Sequence, residues 1–402
     1  MNEVRAGSKE LIREINQALV LNTVRRQRSV SRTDIAGLTG LSPPTISGIT
    51  NELIERGLLF EAAIGVSAGG RKPILISLNA AAGYVVGIKL TETQAVGVLV
   101  DLDANVVARH STELTARSED YVVAAVARLA KLLAERAHGR PVHGIGVGLA
   151  GVVDRHAGIV RHATYLDWRN ADFAEHLRRR TGLPVVIDND INALVANERW
   201  FRHGRDVNNL LVVSLGRGIG LGMVLDGRIY RGAIGGAGEF GHVTVDPDGP
   251  MCDCGKRGCL EAFVADPALE RAASDVAGRP LTLDQALDIA RADPTSDLVE
   301  VFHNAARTLG RAVADLVNVL NPDRIVLTGE GIRAADLILD TFTTTLNVCA
   351  FDGLIDDLEI LVEPWDDEAW ARGAASVLLG ELFQPEMHRV ENGRPSLTVI
   401  AS

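Results

Sequence analysis

Apolar residues at helical intervals open the chain. Ile12, Ile15, Leu19 and Leu21 to Val24 predict one long helix from Lys9 to about Arg26. Ser31, with Asp34 three residues on, marks the start of a short second helix, Arg32 to Leu38. Ile35, Ala36 and Leu38 would turn inward, and Gly40 ends it. A third helix is capped by Ser42 and takes Pro43 in its first position, where a missing N–H is harmless. It runs to Arg56, and Gly57 stops it. Ile46, Ile49, Leu53 and Ile54 form its apolar side, which leaves Pro44, Thr45, Ser47, Gly48, Thr50 and Asn51 outward. Leu58 to Ala62 and Ile74 to Leu78 then read as strands, joined by a Gly/Ser/Ala loop and Arg71-Lys72-Pro73.

Two short helices joined by a glycine-containing turn form the helix-turn-helix pattern, and the hairpin behind them reads as a wing. Small polar residues at the start of the third helix, from Ser42 and Pro44 to Asn51, can approach a major groove closely. Arg71 and Lys72 at the hairpin tip can reach phosphates or a narrow minor groove. A three-helix module with no DNA role is the alternative.

The pattern changes again from about Ala81. Tyr84 to Ile88 and Ala95 to Leu102 read as a hairpin, Asn105 to Ser111 as a third strand, and 119–137 as a helix. His143 to Leu149 and Val185 to Ile187 are buried strands, the latter followed by a helix from Asp190. A similar series recurs: strands at 209–215, 220–225 and 228–231, helices, then Arg324 to Thr328 and Glu359 to Val362. The elements repeat although the residues do not, a structural duplication. The series resembles the actin/hexokinase/heat-shock-protein ATPase architecture, which implies two lobes with a ligand cleft between them.

Composition supports several domains. The chain has 402 residues, 47% of them apolar and only 4% aromatic, more than one ordinary core needs. The net charge of −11 is uneven: residues 1–80 hold ten basic and seven acidic side chains, and the remainder 31 and 45. A weakly basic head on an acidic body suits a protein that meets DNA with one end only. No apolar run reaches membrane-spanning length, and Met1 to Ala18 is polar and charged, so a cytoplasmic location is expected.

The chemistry concentrates between Gly232 and Glu261. Cys252, Cys254 and Cys259 are three of the chain's four cysteines, and His242 lies ten residues upstream of the first. Three thiolates and one imidazole make a closed tetrahedral zinc site, and Gly255 and Gly258 permit the tight backbone that a Cys-x-Cys-x4-Cys knuckle needs. Inert buried cysteines, or a disulfide that leaves one of the three unpaired, are the alternatives. Glu239 and Glu261 flank the ligands and could accept hydrogen bonds from sugar hydroxyls, or simply be surface glutamates. Val186-Ile187-Asp188-Asn189-Asp190 ends a strand and opens a helix, a place where α/β sheets bind ligands; alone it could equally be a helix cap.

GAGEFGH followed by CDCGKRGCLE resembles the signature of the ROK family (repressors, open reading frames, sugar kinases). The resemblance spans about residues 81–383, and GGRKP at 69–73 resembles the wing of the family's repressors. It implies a winged helix-turn-helix over 1–80, a two-lobed actin/hexokinase-like domain over 81–383, and a tail over 384–402. Lobe one would hold about 81–205 plus a C-terminal helix at 367–383, and lobe two about 206–366. By the same resemblance, Asn189, Asp190, Glu239, His242 and Glu261 would contact sugar, the residue matching Asp190 being the general base of the family's kinases.

The nucleotide loops depart from the kinase pattern. Where kinases open the first hairpin with Asp-x-Gly-Gly-Thr, this chain has Lys89-Leu90-Thr91-Glu92-Thr93. Arg217 stands where kinases have Thr, and Glu330 interrupts a late glycine loop near the expected adenine position. Tyr165-Leu166-Asp167-Trp168 replaces the usual residues before a Gly-Trp pair near the sugar. The expectation is a sugar-responsive regulator, a repressor of carbohydrate uptake or metabolism genes. It would bind operator DNA as a dimer or tetramer, carry one structural zinc per chain, and have no catalytic residues. A DNA-binding sugar kinase and a regulator controlled by a protein partner are the rival readings.

Overall fold

The computed structural model describes residues 9–64, 73–364 and 367–383. The chain divides into two compact units, Met1–Ala196 with Trp370–Ser402, and Asn197–Ala369. The lobe division expected between 205 and 206 therefore falls within the second unit.

The first unit begins with the helices α1 (Lys9–Gln27), α2 (Arg32–Thr39) and α3 (Pro43–Glu55). A small sheet follows the order β1 (Val30–Ser31), β3 (Ile74–Leu78), β2 (Leu59–Ile64), all antiparallel. Ser31 caps α2 by accepting from the Asp34 N–H, and Ser42 caps α3 by accepting from that of Thr45, as the sequence predicts.

Three expectations about this head need correction. The buried side of α1 includes Leu21 and Val24 as expected, but in the first turns it runs through Leu11 and Ala18 and leaves Ile12 54% and Leu19 40% exposed. Leu38 is 60% exposed, since the eight-residue α2 buries only Ile35. Thr50 does not face outward: it is fully buried. Four residues after Ile46, it returns to the same helix face. Its hydroxyl donates to the Ile46 carbonyl at 2.8 Å and accepts from Arg32 Nε at 2.9 Å, which makes burial tolerable.

Next come β4 (Tyr84–Leu90), β5 (Gln94–Asp101), β6 (Val106–Glu113), α4 (Glu119–Glu135) and β7 (Val142–Leu149). The strands β8 (Val152–Asp154), β9 (Ile159–Ala163) and β10 (Trp168–Ala171) form a small antiparallel sheet that the sequence reading did not anticipate. α5 (Phe173–Thr181), β11 (Val185–Asn189) and α6 (Asp190–Phe201) complete the series. The main sheet has the order β11-β7-β4-β5-β6, with β4 antiparallel to β5 and parallel to β7.

The second unit repeats this plan. β12 (Leu210–Leu215), β13 (Ile219–Leu225) and β14 (Arg228–Ile229) precede α7 (Glu261–Val264), α8 (Asp266–Ala277), α9 (Leu283–Ala292) and α10 (Asp297–Leu320). β15 (Arg324–Thr328), α11 (Ala335–Cys349) and β16 (Glu359–Val362) follow. The order β14-β13-β12-β15-β16, with the same senses of pairing, reproduces the first sheet. Its core sets the sheet residues Leu211, Val213 and Leu327 against Phe302, Leu309 and Phe342 of α10 and α11.

The last helix, α12 (Asp367–Leu382), lies close against the first sheet. A Cβ on Gly87 would stand 2.1 Å from the Ala371 carbonyl, and one on Gly146 2.0 Å from that of Ala374, so only glycine allows this approach. The helix ends beside the head, where the Phe383 carbonyl accepts from Asn22 Nδ2 at 2.7 Å.

Candidate metal and effector sites

In the second unit a stretch with little regular structure brings four ligands together. His242 closes the short turn Phe240–His242, and Cys259 bridges back to Thr244. Gly258 sits at φ +66°, and a Cβ there would stand 1.5 Å from the Asp246 carbonyl. The ligand atoms of His242, Cys252, Cys254 and Cys259 all lie within 4.8 Å of one another. Cys252 Sγ is 3.7 Å from His242 Nδ1, and Cys254 Sγ is 3.6 Å from Cys259 Sγ. Metal–sulfur bonds of about 2.3 Å in a tetrahedron give sulfur–sulfur edges of about 3.8 Å, so this cluster has the dimensions of a metal shell. Burial pushes the metal-free Cys252 thiol up to about 12. A coordinated cation would reverse that preference and hold the thiolate.

Both glutamates flank the cluster. Glu239 Oε2 is 3.9 Å from His242 Nε2, the ring nitrogen that faces away from Cys252. Glu261 Oε1 is 3.9 Å from Cys252 Sγ, while its Oε2 accepts from the Ile219 N–H at 3.2 Å. Glu261 therefore joins the knuckle to the glycine loop between β12 and β13.

In the first unit Asn189 and Asp190 stand where β11 becomes α6. Asn189 Oδ1 accepts from the N–H groups of Ile191 and Asn192, and its Nδ2 donates to the Gly151 carbonyl at 3.0 Å. The preceding Asp188 is 1% exposed. It accepts from the Asn189 N–H and the Asn192 amide on one oxygen and from Arg155 on the other. Arg155 continues to Glu381 on α12. Sequence reasoning gave Arg155, Asp188 and Glu381 no role. The one available signal was an aspartate ending an apolar strand, since nothing near Arg155 or Glu381 marks them as partners.

The turn between β4 and β5 is closed on itself, with Thr91 Oγ1 bonded to the Gln94 backbone. Lys89 Nζ lies 4.5 Å over the Trp370 ring. In the second unit the Glu330 carboxylate lies 3.8 Å from where a Cβ on Gly216 would stand.

On the head, Ser42, Pro44, Ser47, Gly48 and Asn51 are exposed along α3, and Thr45 is half-buried. Arg32 braces this helix by donating to Thr50, to Asn51 Oδ1 at 3.0 Å and to Glu61 at 3.3 Å. Arg71, Lys72 and the tail at 384–402 lie outside the described residues. Among the described residues no helix is long and apolar enough to cross a membrane.

Duplicated α/β sheets, a His/Cys3 knuckle and a winged three-helix head define a two-part protein with parallels among known chains. The ROK family model matches residues 85–381, and the chain belongs to that family. It is 29% identical over 396 residues to the xylose repressor of Caldicellulosiruptor bescii, covering 94% of this chain and 98% of that one. Its structure is similar to that of a ROK family transcriptional regulator described as a homolog of the E. coli MLC protein, with a TM-score of 0.82 and 26% identity over 94% of this chain and 98% of that one. A ROK family glucokinase from Streptomyces griseus, solved with glucose and AMPPNP, has a TM-score of 0.63 and 26% identity. It covers 73% of this chain and 99% of its own.

Proposed function

We propose that this chain is a sugar-responsive DNA-binding regulator that represses carbohydrate genes and releases its operator when sugar binds. The observation that carries the reading is a winged head joined to a ROK domain whose first strand carries Lys89 near its end, with the ammonium held over the Trp370 ring. Phosphoryl transfer needs donors and a metal around the phosphates. Glu92 in the turn after that strand and Glu330 beside Gly216 present carboxylates instead, so we assign the domain to sensing, without ATP chemistry. Relatives that carry the name repressor support this assignment.

In this reading zinc occupies the His242, Cys252, Cys254 and Cys259 cluster, one ion per chain. It is structural, since four protein ligands leave no open position. Asn189 and Asp190 supply sugar acceptors in the first unit, and Glu239, His242 and Glu261 in the second. His242 links the two roles, as its second nitrogen is the one facing Glu239. Pro44, Thr45, Ser47, Gly48 and Asn51 of α3 meet the major groove behind the Ser42 cap, and Arg71 and Lys72 reach the backbone. Thr50 is withdrawn from this set by its burial. Two-fold assembly, as a dimer or a dimer of dimers in the cytoplasm, matches the head to a palindromic operator.

The test is operator binding with and without sugar for the wild-type chain and for Asp190→Ala. The variant should bind the operator as tightly as wild type and fail to release it. ATP-dependent phosphorylation of xylose, glucose or N-acetylglucosamine by the purified chain would overturn the assignment.

A further inference from the structure

We propose that Arg155 couples the effector site to the DNA-binding head, as a positioning residue that touches neither sugar nor DNA. The proposal rests on the regulator reading above and adds the route by which one site biases the other. The guanidinium has only 14% of its side chain exposed and sits between two carboxylates. Nη1 donates to Asp188 at 3.3 Å. Nε donates to Glu381 at 3.1 Å, Nη2 bonds the same oxygen, and Nη2 also reaches the Val377 carbonyl at 3.5 Å.

Two connections run from the sugar residues into this group. Asp188 Oδ1 holds the Asn189 N–H at 2.9 Å, while its other oxygen holds Arg155. Asn189 Nδ2 holds the carbonyl of Gly151, in the segment that leads to Arg155. A sugar hydroxyl that draws on the Asn189 amide, or on Asp190 beside it, pulls on both.

The output side is equally direct. Glu381 lies in the last turn of α12. Phe383, just beyond, is fully buried, accepts from Asn22 Nδ2 at 2.7 Å, and has the Arg25 guanidinium 5.5 Å over its ring. Asn22 and Arg25 belong to α1, whose Arg13 pairs with Glu52 of α3 at 2.7 Å. The route from Asn189 to the helix that meets DNA thus runs through hydrogen bonds, ion pairs and a ring contact, joined by the backbone of α12 and α1. A planar guanidinium that bonds two carboxylates in a fixed fork geometry ties them together, so a displacement of Asp188 is passed to Glu381.

The experiment uses the full chain with its metal and a duplex that the wild-type protein selects from a random library. Xylose, glucose and N-acetylglucosamine are screened by thermal shift, and the sugar with the largest shift is carried forward. Sugar affinity, operator affinity without sugar, and operator affinity at saturating sugar are measured for wild type, Arg155→Met, Glu381→Gln and Asn22→Ala. The ratio of the two operator affinities reads the coupling. In Arg155→Met it should fall about tenfold toward unity, with sugar affinity and sugar-free operator affinity within about threefold of wild type. Glu381→Gln and Asn22→Ala should lower the same ratio less, and they keep the test alive if Arg155→Met does not fold. Unchanged ratios in all folded variants overturn the route and leave the regulator reading standing. Loss of sugar affinity in proportion to the ratio also overturns it, since Arg155 would then only support the sugar site. A wild-type chain that binds sugar and keeps its operator overturns the regulator reading itself, and the coupling with it.

Discussion

The two sheets share one topology, yet the polar residues at their ends are fixed by different means. In the second unit Glu239 and Glu261 stand beside a His/Cys3 cluster drawn from a stretch of eighteen residues, His242 to Cys259. In the first unit Asn189 borders a charge network of Asp188, Arg155 and Glu381, in which Arg155 and Glu381 are 226 residues apart. A metal can fix loops that have almost no core of their own, because the bonds are strong and the ligands are close in sequence. An ion network around a buried carboxylate needs a folded sheet first, because desolvating Asp188 and Arg155 is unfavourable until their partners are in place. One device stabilises local structure, and the other reports on the surrounding structure.

The largest test of this contrast is metal removal. Chelation, or Cys259→Ser, should cost the second unit on the order of 10 kcal/mol of metal-linked stability, seen as loss of one zinc per chain and of the corresponding calorimetric transition. An unchanged melting profile in metal-free protein would break the comparison. Next is Arg155→Met, which removes a cation from the buried Asp188 and from Glu381. A loss of about 3–5 kcal/mol in urea unfolding is expected, and a loss below about 1 kcal/mol would mean that water reaches the network. Gly258→Ala should cost about 2 kcal/mol or more, since a left-handed φ and the Asp246 carbonyl both oppose a Cβ. Melting with zinc in excess measures it, and the variant should take up zinc less tightly than wild type.

The smallest effect belongs to an exposed version of the same chemistry. Glu175 accepts hydrogen bonds directly from Arg178 and from Arg179, and these partners lower its pKa from 4.5 to about 2. A depressed carboxylate contributes stability above its unfolded value and loses it as pH falls through the folded one. The stability difference between wild type and Glu175→Gln should therefore be constant near neutrality and vanish between about pH 4.5 and 2. Solvent screening should keep it to about 0.5 kcal/mol. A difference as large as that of Arg155→Met would remove burial as the distinguishing feature.

What the sequence determined by itself was local. Ser31 and Ser42 sit at the caps they announce, Gly40 and Gly57 follow their helices, and the two strand series fold into sheets of one order. The His/Cys3 cluster was readable because all four side chains lie on one short stretch, so residue type and spacing carried the geometry. The tertiary structure decided everything that depends on a distant partner. α1 offers two adjacent heptad stripes, Leu11 with Ala18 and Ile12 with Leu19, and only the packed surfaces select the first. Thr50 is polar by composition and buried in fact, because Arg32 from another helix satisfies its hydroxyl. Arg155 carries no mark in its own neighbourhood; its meaning comes from Asp188 and Glu381, which only the folded sheet brings within hydrogen-bonding range. Periodicity records how a residue sits in its own helix or strand, and contains nothing about which surface will cover it.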